Sequence, residues 1–334
     1  MVCGRRLATD QYLQMKGNNM KKVCCETSKK KRAWILFKRN WMRYLMLLIP
    51  IIYIIIFEYG PLYGLQIGFR DYRVKKGIFG SDWVGLKHFQ MFFSNYRWVQ
   101  YVGNTLKISL YSILVGFPIP IFLALMIHVN DCKWLKKITQ NVSYIPHFIS
   151  VVVMVGILWN LLNPFGAVLS ALRNLTGWEF FNTDLRANPD AFIHLYVWSG
   201  VWQNMGWSAI IYVSALSAVP KELHEAARID GASRWKRVLH IDIPTIMPTI
   251  ISMLILRFGS VLNVGRDKVF LMQNSLNLSE SEVISTYVYK FGLSAGKLSF
   301  GTAVGMMNSF INLGLLLLVN WISKKVTSDE YGLF

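Results

Sequence analysis

Six long apolar stretches, separated by polar ones, set the rhythm of the chain. They cover about 42–62, 99–127, 142–162, 191–218, 243–264 and 300–322. Each is close to or longer than the roughly 20 residues an α-helix needs to cross the hydrocarbon core. None alternates apolar and polar positions as a barrel strand does, and a helix satisfies its own backbone groups in lipid. The pattern therefore predicts an all-α polytopic membrane protein with six transmembrane helices. The second and fourth stretches exceed the required length, which predicts tilt or extension into water. Pro118 and Pro120 fall within the second, where they mark either a kink or a broken helix.

Charge sets the expected orientation. With the N-terminus inside, the inner segments 1–43, 129–141, 218–240 and 323–334 hold 22 Lys and Arg residues, against 12 in the outer segments. This bias predicts a multi-pass cell-membrane protein with both termini cytoplasmic. The corresponding domains are a basic tail over 1–41, a transmembrane domain over 42–322 and a short tail over 323–334. The outer segment 61–97 contains WVGLKHFQMFFSNYRWVQYV, which suits a short interfacial helix. Gly60, Gly64 and Gly68, with Gly301 and Gly305, have the four-residue spacing of a close helix-packing face.

Composition agrees with this class. Of 334 residues, 53% are hydrophobic and 16% charged, against roughly 25% charged in soluble domains. The net charge of +18 points to membrane lipid rather than nucleic acid, because twelve Lys and Arg sit in residues 1–43 and no recognition motif accompanies them. Cys3, Cys24, Cys25 and Cys132 form no CxxC pair or His-Cys cluster, and the six His form no HExxH pattern. No metal site, disulfide framework or catalytic constellation is expected. GLSAGKL at 292–298 is one residue short of a phosphate loop and lacks Ser or Thr after Lys297, so no nucleotide site is expected in this chain.

One polar module interrupts the apolar pattern at 219–244. Pro220 suits a helix start, and Lys221–Ile229 has the composition of two or more helical turns. Asp230-Gly231 predicts a turn, and Ser233 caps a second short helix before Pro244 opens the fifth span. Two short helices around a tight turn make a rigid object on which another protein can pull.

The spacing of Glu225-Ala226-Ala227, Gly231, Ile241 and Pro244 resembles the EAA loop of permeases from bacterial ABC importers. YGPLYGLQIGFRDY, SYIPHFIS, WQNMGWSAIIYVSALSAVP and LRFGSVLNVG are similar to its polysaccharide branch, the LplB-like family of binding-protein-dependent inner membrane components. The resemblance spans roughly 45–325. It implies the type I ABC importer permease fold and a role as one half of a heterodimeric pore for oligosaccharides or related saccharides. It further implies a second homologous permease subunit and an extracellular or periplasmic solute-binding protein. Two cytoplasmic ATPases would bind ATP and Mg, so this chain would catalyse no covalent reaction. Glu225 would then make a polar contact at the ATPase or stabilise the loop. Ala226 and Ala227 would pack closely, Gly231 would turn, and Ile241 and Pro244 would fix the loop against the fifth span. The chain departs from the family after Val264-Gly265, where Arg266, Asp267 and Lys268 stand.

For the substrate path, Arg257 is a costly charge inside the fifth span, facing a pore or pairing at the subunit interface. Trp202, Asn204 and Asn263 are further path candidates, offering stacking or hydrogen bonds to a sugar. Lys107 reads as an interfacial anchor. Three other readings predict different behaviour. A secondary transporter would use an ion gradient, a membrane glycan-processing enzyme would need an acidic cluster, and a scaffold would show no substrate-dependent ATP hydrolysis.

Overall fold

The computed structural model of the chain describes residues 34–176 and 184–326. Most of the basic tail, the centre of the loop after the third span, and the last eight residues lie outside them. The chain divides into two units, Met1–Leu65 and Gln66–Phe334. Helix α1 begins at Trp34 in the first unit and its last residues, to Phe69, belong to the second, 36 residues in all.

The second unit opens with an element that the apolar pattern does not announce. Strands β1 (Arg70–Arg73) and β2 (Gly77–Trp83) pair antiparallel, with Arg70 opposite Trp83 and an irregularity between Asp71 and Arg73. Gly77 closes the tip at φ +68°, where an L side chain is strained. Ser81 Oγ donates to Gly77 O at 2.6 Å, and the Arg70 guanidinium lies 5.5 Å from the Trp83 ring centre. The expected short helix in this segment is α2, Lys87–Phe93, whose Phe92 is buried.

The second span runs over 32 residues, Trp98–Val129. It is interrupted at Phe117, separating α3 (Trp98–Gly116) from α4, which restarts at Pro118 and ends at Val129. Proline at a first helical position loses no intrahelical bond, so the restart tolerates Pro118.

The third apolar stretch is not one straight helix, a correction to the pattern's reading. Lys133–Phe148 (α5 with its 3-10 end) meets Val151–Leu161 (α6) at an angle of 101°. Pro146 tightens the end of the first arm, and Ser150 Oγ accepts from Val153 N to start the second. The pair counts as a span only if both arms are taken together.

Helix α7 covers Ala167–Thr176, and α8 covers Pro189–Ser217, 29 residues capped by Asn188. Its polar Gln203 and Asn204 lower its mean hydropathy, and it is shielded by α3, α4 and α5. Helix α9 is Lys221–Ile229. Helix α10 then runs continuously from Arg234 to Phe258, with a π-helical segment at Val238–Asp242. The second helix of the polar module and the fifth span are thus one rod, which ends before 264. A short helix, α11 (Arg266–Met272), precedes the final span α12, Leu298–Val326. Among the described residues, four helices are long and apolar enough to cross a membrane, and a fifth span follows if the bent pair is one.

Three buried clusters hold the second unit together. One joins Ile108, Met154, Phe192, Val264 and Met272; another joins Leu125, Ala209, Tyr212, Leu216, Val238 and Ile246; the third joins Phe92, Tyr101, Tyr287 and Phe300. Between apolar helices, polar side chains must find partners. Asn104 Nδ2 donates to Ser279 O and Glu282 O, and Asn312 Oδ1 accepts from Leu262 N at 3.0 Å. Small residues permit the closest approaches. A Cβ on Gly68 would meet Ala303 backbone at 3.2 Å, whereas one on Gly305 would meet nothing within 4 Å. The four-residue glycine pattern is therefore a packing face in part only.

Candidate functional site

Two regions carry the chemistry. The first is a cleft of about 540 Å³ among α3, α8, the end of α10 and the following loop. Asn204, Arg257 and Asn263 all line it, with Tyr196, Gln203, Trp207 and Lys268. Trp202 is outside this lining. It stands two residues from Asn204, and positions two apart on a helix do not share a face.

The cleft wall is built by hydrogen bonds between elements. Gln203 Nε2 donates to Ile149 O at 2.8 Å, fastening α8 to the bend of the third span. His147 stacks on Trp207 with ring centres 4.5 Å apart, and its Nδ1 stands 3.0 Å from Asn204 Oδ1. Asn263 Oδ1 accepts from Asn308 Nδ2 at 3.0 Å and from Asn312 Nδ2 at 3.2 Å. Asn263 thus joins the cleft to α12 as well as facing it.

Two cations face this space. The Arg257 guanidinium makes no ion pair or hydrogen bond among the described residues. Lys268 Nζ donates to Tyr196 O at 2.6 Å and lies 4.5 Å from the Tyr196 ring centre. Gly200 makes room for it, since a Cβ there would stand 3.0 Å from Nζ. Burial pushes the Lys268 ammonium down from 10.5 to about 7, because the charged form loses water. No Asp or Glu is among the described lining residues. In sequence Lys268 reads as one of three charged residues of an outer loop, with no sign that it lines the same cleft as Arg257. Its neighbour Arg266 turns to Asp267 at 3.1 Å instead. Lys107, itself exposed, pairs with the half-buried Glu280 at 3.1 Å.

The second region is the polar module. Helix α9 ends in a Schellman cap: Ala232 N donates to Ala227 O at 2.9 Å and Gly231 N to Arg228 O at 3.1 Å. Gly231 supplies φ +74°, and Ser233 caps the start of α10. Glu225 and Ala226 are exposed, and Ala227 is half-buried. Leu223, Ile229, Trp235 and Leu239 are exposed too, Ile229 at 87%. Ile241 is half-buried and Pro244 exposed, both inside the continuous rod rather than at a joint. Val219 and Val238 are the module's buried anchors, at 6% and 2% exposure.

Beneath this module the fold gathers three residues that no sequence spacing predicts: His128 from α4, His224 from α9 and Asp242 from α10. Their ligand-type atoms all lie within 4.8 Å of one another. No ligand spacing marks them in the sequence, where they are separated by 96 and 18 positions.

Long apolar helices around a polar cleft, with an exposed capped loop, define a membrane transport permease. The chain belongs to the family described as binding-protein-dependent transport system inner membrane component, whose model matches residues 116–328. It is 38% identical to the polygalacturonan/rhamnogalacturonan transport system permease protein YteP of Bacillus subtilis, over 93% of this chain and 96% of that one. It is 37% identical to Protein LplB of the same organism, over 92% and 96%. A crystal structure of a bacterial ABC transporter involved in the import of the acidic polysaccharide alginate superposes with TM-score 0.79 at 34% identity, covering 89% of this chain and 99% of that one. A second alginate transporter structure, with its alginate pentasaccharide-bound periplasmic protein, gives TM-score 0.80 at 34% identity over 90% and 99%. The chain is thus an inner-membrane, multi-pass ABC importer permease.

Proposed function

We propose that this permease passes acidic oligosaccharides, as one half of an ATP-driven importer. The observation that carries the reading is that Arg257 and Lys268 both line a polar cleft whose described lining holds no carboxylate. A neutral sugar needs hydrogen bonds alone, and the buried ammonium of Lys268 and the exposed guanidinium of Arg257 would find no counter-charge in it. A uronate supplies the missing negative charge, and low local dielectric strengthens that attraction. Asn204 and Asn263 would bond sugar hydroxyls, and Trp207 offers a flat apolar surface. The names of the similar proteins, with polygalacturonan and alginate among them, support the same class.

On this reading the pore is completed by a second homologous permease subunit. An extracellular or periplasmic solute-binding protein delivers the saccharide. The exposed face of α9, with Glu225, Ala226, Ala227 and the Gly231 turn, docks on a cytoplasmic ATPase. Two such ATPases bind ATP and Mg and drive the cycle. Both termini of the chain face the cytoplasm. The rod from Arg234 to Phe258 supports this coupling, since displacement at the loop reaches Arg257 without a flexible joint.

The test is uptake by the reconstituted complex, with acidic and neutral oligosaccharides of equal length supplied on the binding protein. Acidic chains should be taken up. Arg257→Gln should lower their uptake at least about tenfold, the loss of one charged hydrogen bond, while leaving basal ATP hydrolysis in place. Equal uptake of neutral chains, unchanged by Arg257→Gln, would refute the assignment.

A further inference from the structure

We propose that His128, His224 and Asp242 bind a divalent transition-metal ion of the zinc class, which pins the loop helix α9 to the transmembrane body. The three side chains come from three elements: the end of α4, the first turns of α9, and the last residue of the π-helical segment of α10. Asp242 Oδ1 stands 3.1 Å from His224 Nε2 and 3.6 Å from His128 Nε2. Zinc binds imidazole nitrogen and carboxylate oxygen at about 2.0–2.2 Å, so two ligands at a tetrahedral angle stand about 3.3 Å apart. The two observed separations bracket that value.

Orientation argues the same way. Neither His224 Nε2 nor Asp242 Oδ1 makes a hydrogen bond among the described residues, although they are 3.1 Å apart. The two atoms are within ion-pair distance but have no aligned N–H between them, and an ion shared by both would satisfy each. Asp242 is 1% exposed. A buried carboxylate is costly without a compensating cation, and an ion held jointly with two neutral imidazoles supplies the charge. Two nitrogens and one oxygen suit zinc, cobalt or nickel, whereas magnesium and calcium favour oxygen throughout. The histidine side chains keep 24% and 20% of their surface open, which leaves an approach for the ion and room for a water as fourth ligand. The wide turn at Val238–Asp242 belongs to the arrangement, since π-helical turns recur at functional sites. This site stands apart from the cleft and does not depend on what passes through the chain.

The test uses the full permease in its complex, carrying a histidine-free tag and Ser at Cys3, Cys24, Cys25 and Cys132 so that thiolates cannot bind metal. After chelator treatment, Co²⁺ is titrated in and followed by its visible ligand-field absorption, then displaced with Zn²⁺. The signal assigned to the site is the difference between wild type and the His128→Gln/His224→Gln double variant. It should amount to one ion per permease chain with the strong absorption of low-coordinate cobalt. His224→Gln alone, on a half-exposed helix that tolerates the change, should weaken binding at least about tenfold. His240→Gln, on the neighbouring turn, should not. Absence of any difference between wild type and the double variant overturns the proposal, as does the weak absorption of fully hydrated cobalt.

Discussion

The cap at the end of α9 permits a graded test of whether the loop works as a rigid body. Gly231 sits at φ +74°, and a Cβ added there meets nothing within 4 Å. Substitution therefore acts through the backbone and not through a clash. Alanine in the left-handed region costs roughly 1–2 kcal/mol, or about a five- to thirtyfold fall in the population of the closed cap. Asparagine tolerates this region better and should cost less. Proline fixes φ near −65°, roughly 140° away. It also removes the N–H that bonds Arg228 O at 3.1 Å, worth about 0.5–1.5 kcal/mol more. The expected order of damage is Asn, then Ala, then Pro. The assay is the ratio of saccharide transported to ATP hydrolysed in proteoliposomes, with membrane insertion and subunit copurification measured beside it. Insertion should hold in all three, because the cap lies outside the apolar stretches. Gly231→Pro with a wild-type ratio, or Asn worse than Pro, would refute the rigid-loop argument.

Two further outcomes follow from the packing and the cleft. A Cβ on Gly206 would collide with the backbone carbonyl of Ser143, so Gly206→Ala must push α8 away from α5. It should cost about 1–3 kcal/mol or more, read as a lowered Tm of the purified complex, while Gly103→Ala, with open space around it, should not lower it. Lys268 should make binding of an acidic saccharide pH-dependent. Its folded-state value of about 7 lies below 10.5, so the neutral amine prevails above pH 7 and a bound carboxylate must draw a proton back. Affinity should be flat below pH 7 and fall by up to about tenfold per unit above it, followed by tryptophan fluorescence, and Lys268→Met should abolish the slope. The same sign makes the unfolded chain the better proton binder between 7 and 10.5, so this residue's penalty on folding is relieved as pH rises through that window.

How much of this was legible beforehand depends on the range of the interaction. The loop helix Lys221–Ile229 and the turn at Gly231 follow from local backbone preference, and both appear where the residues call for them. The apolar runs give the helices, because lipid leaves a backbone few alternatives. The 101° bend between α5 and α6 was missed, since hydropathy averages over it. Pro146 and Ser150 were the available signal: one cannot continue a helix interior, the other starts a new one. The hairpin at Arg70–Trp83 had a weaker mark, Lys75-Lys76-Gly77 between short polar strands.

The chemical groupings were less legible for a different reason. Arg257 is conspicuous as a charge in an apolar run, but Lys268 looked like one of three charged residues in an outer loop. Only the tertiary fold separates them, sending Arg266 to Asp267 and Lys268 inward to Tyr196. The same holds for Asp242. In sequence it is one polar position between Ile241 and Ile243 at the start of a span. The π-helical turn places it in the interior opposite two histidines, one of them on the loop helix itself. A carboxylate so placed links the loop's position to the charge state of the body beneath it. If the helix moves during transport, His224 must leave Asp242 or carry the contact with it. The strength of that contact then sets part of the barrier to the motion, whatever saccharide occupies the cleft.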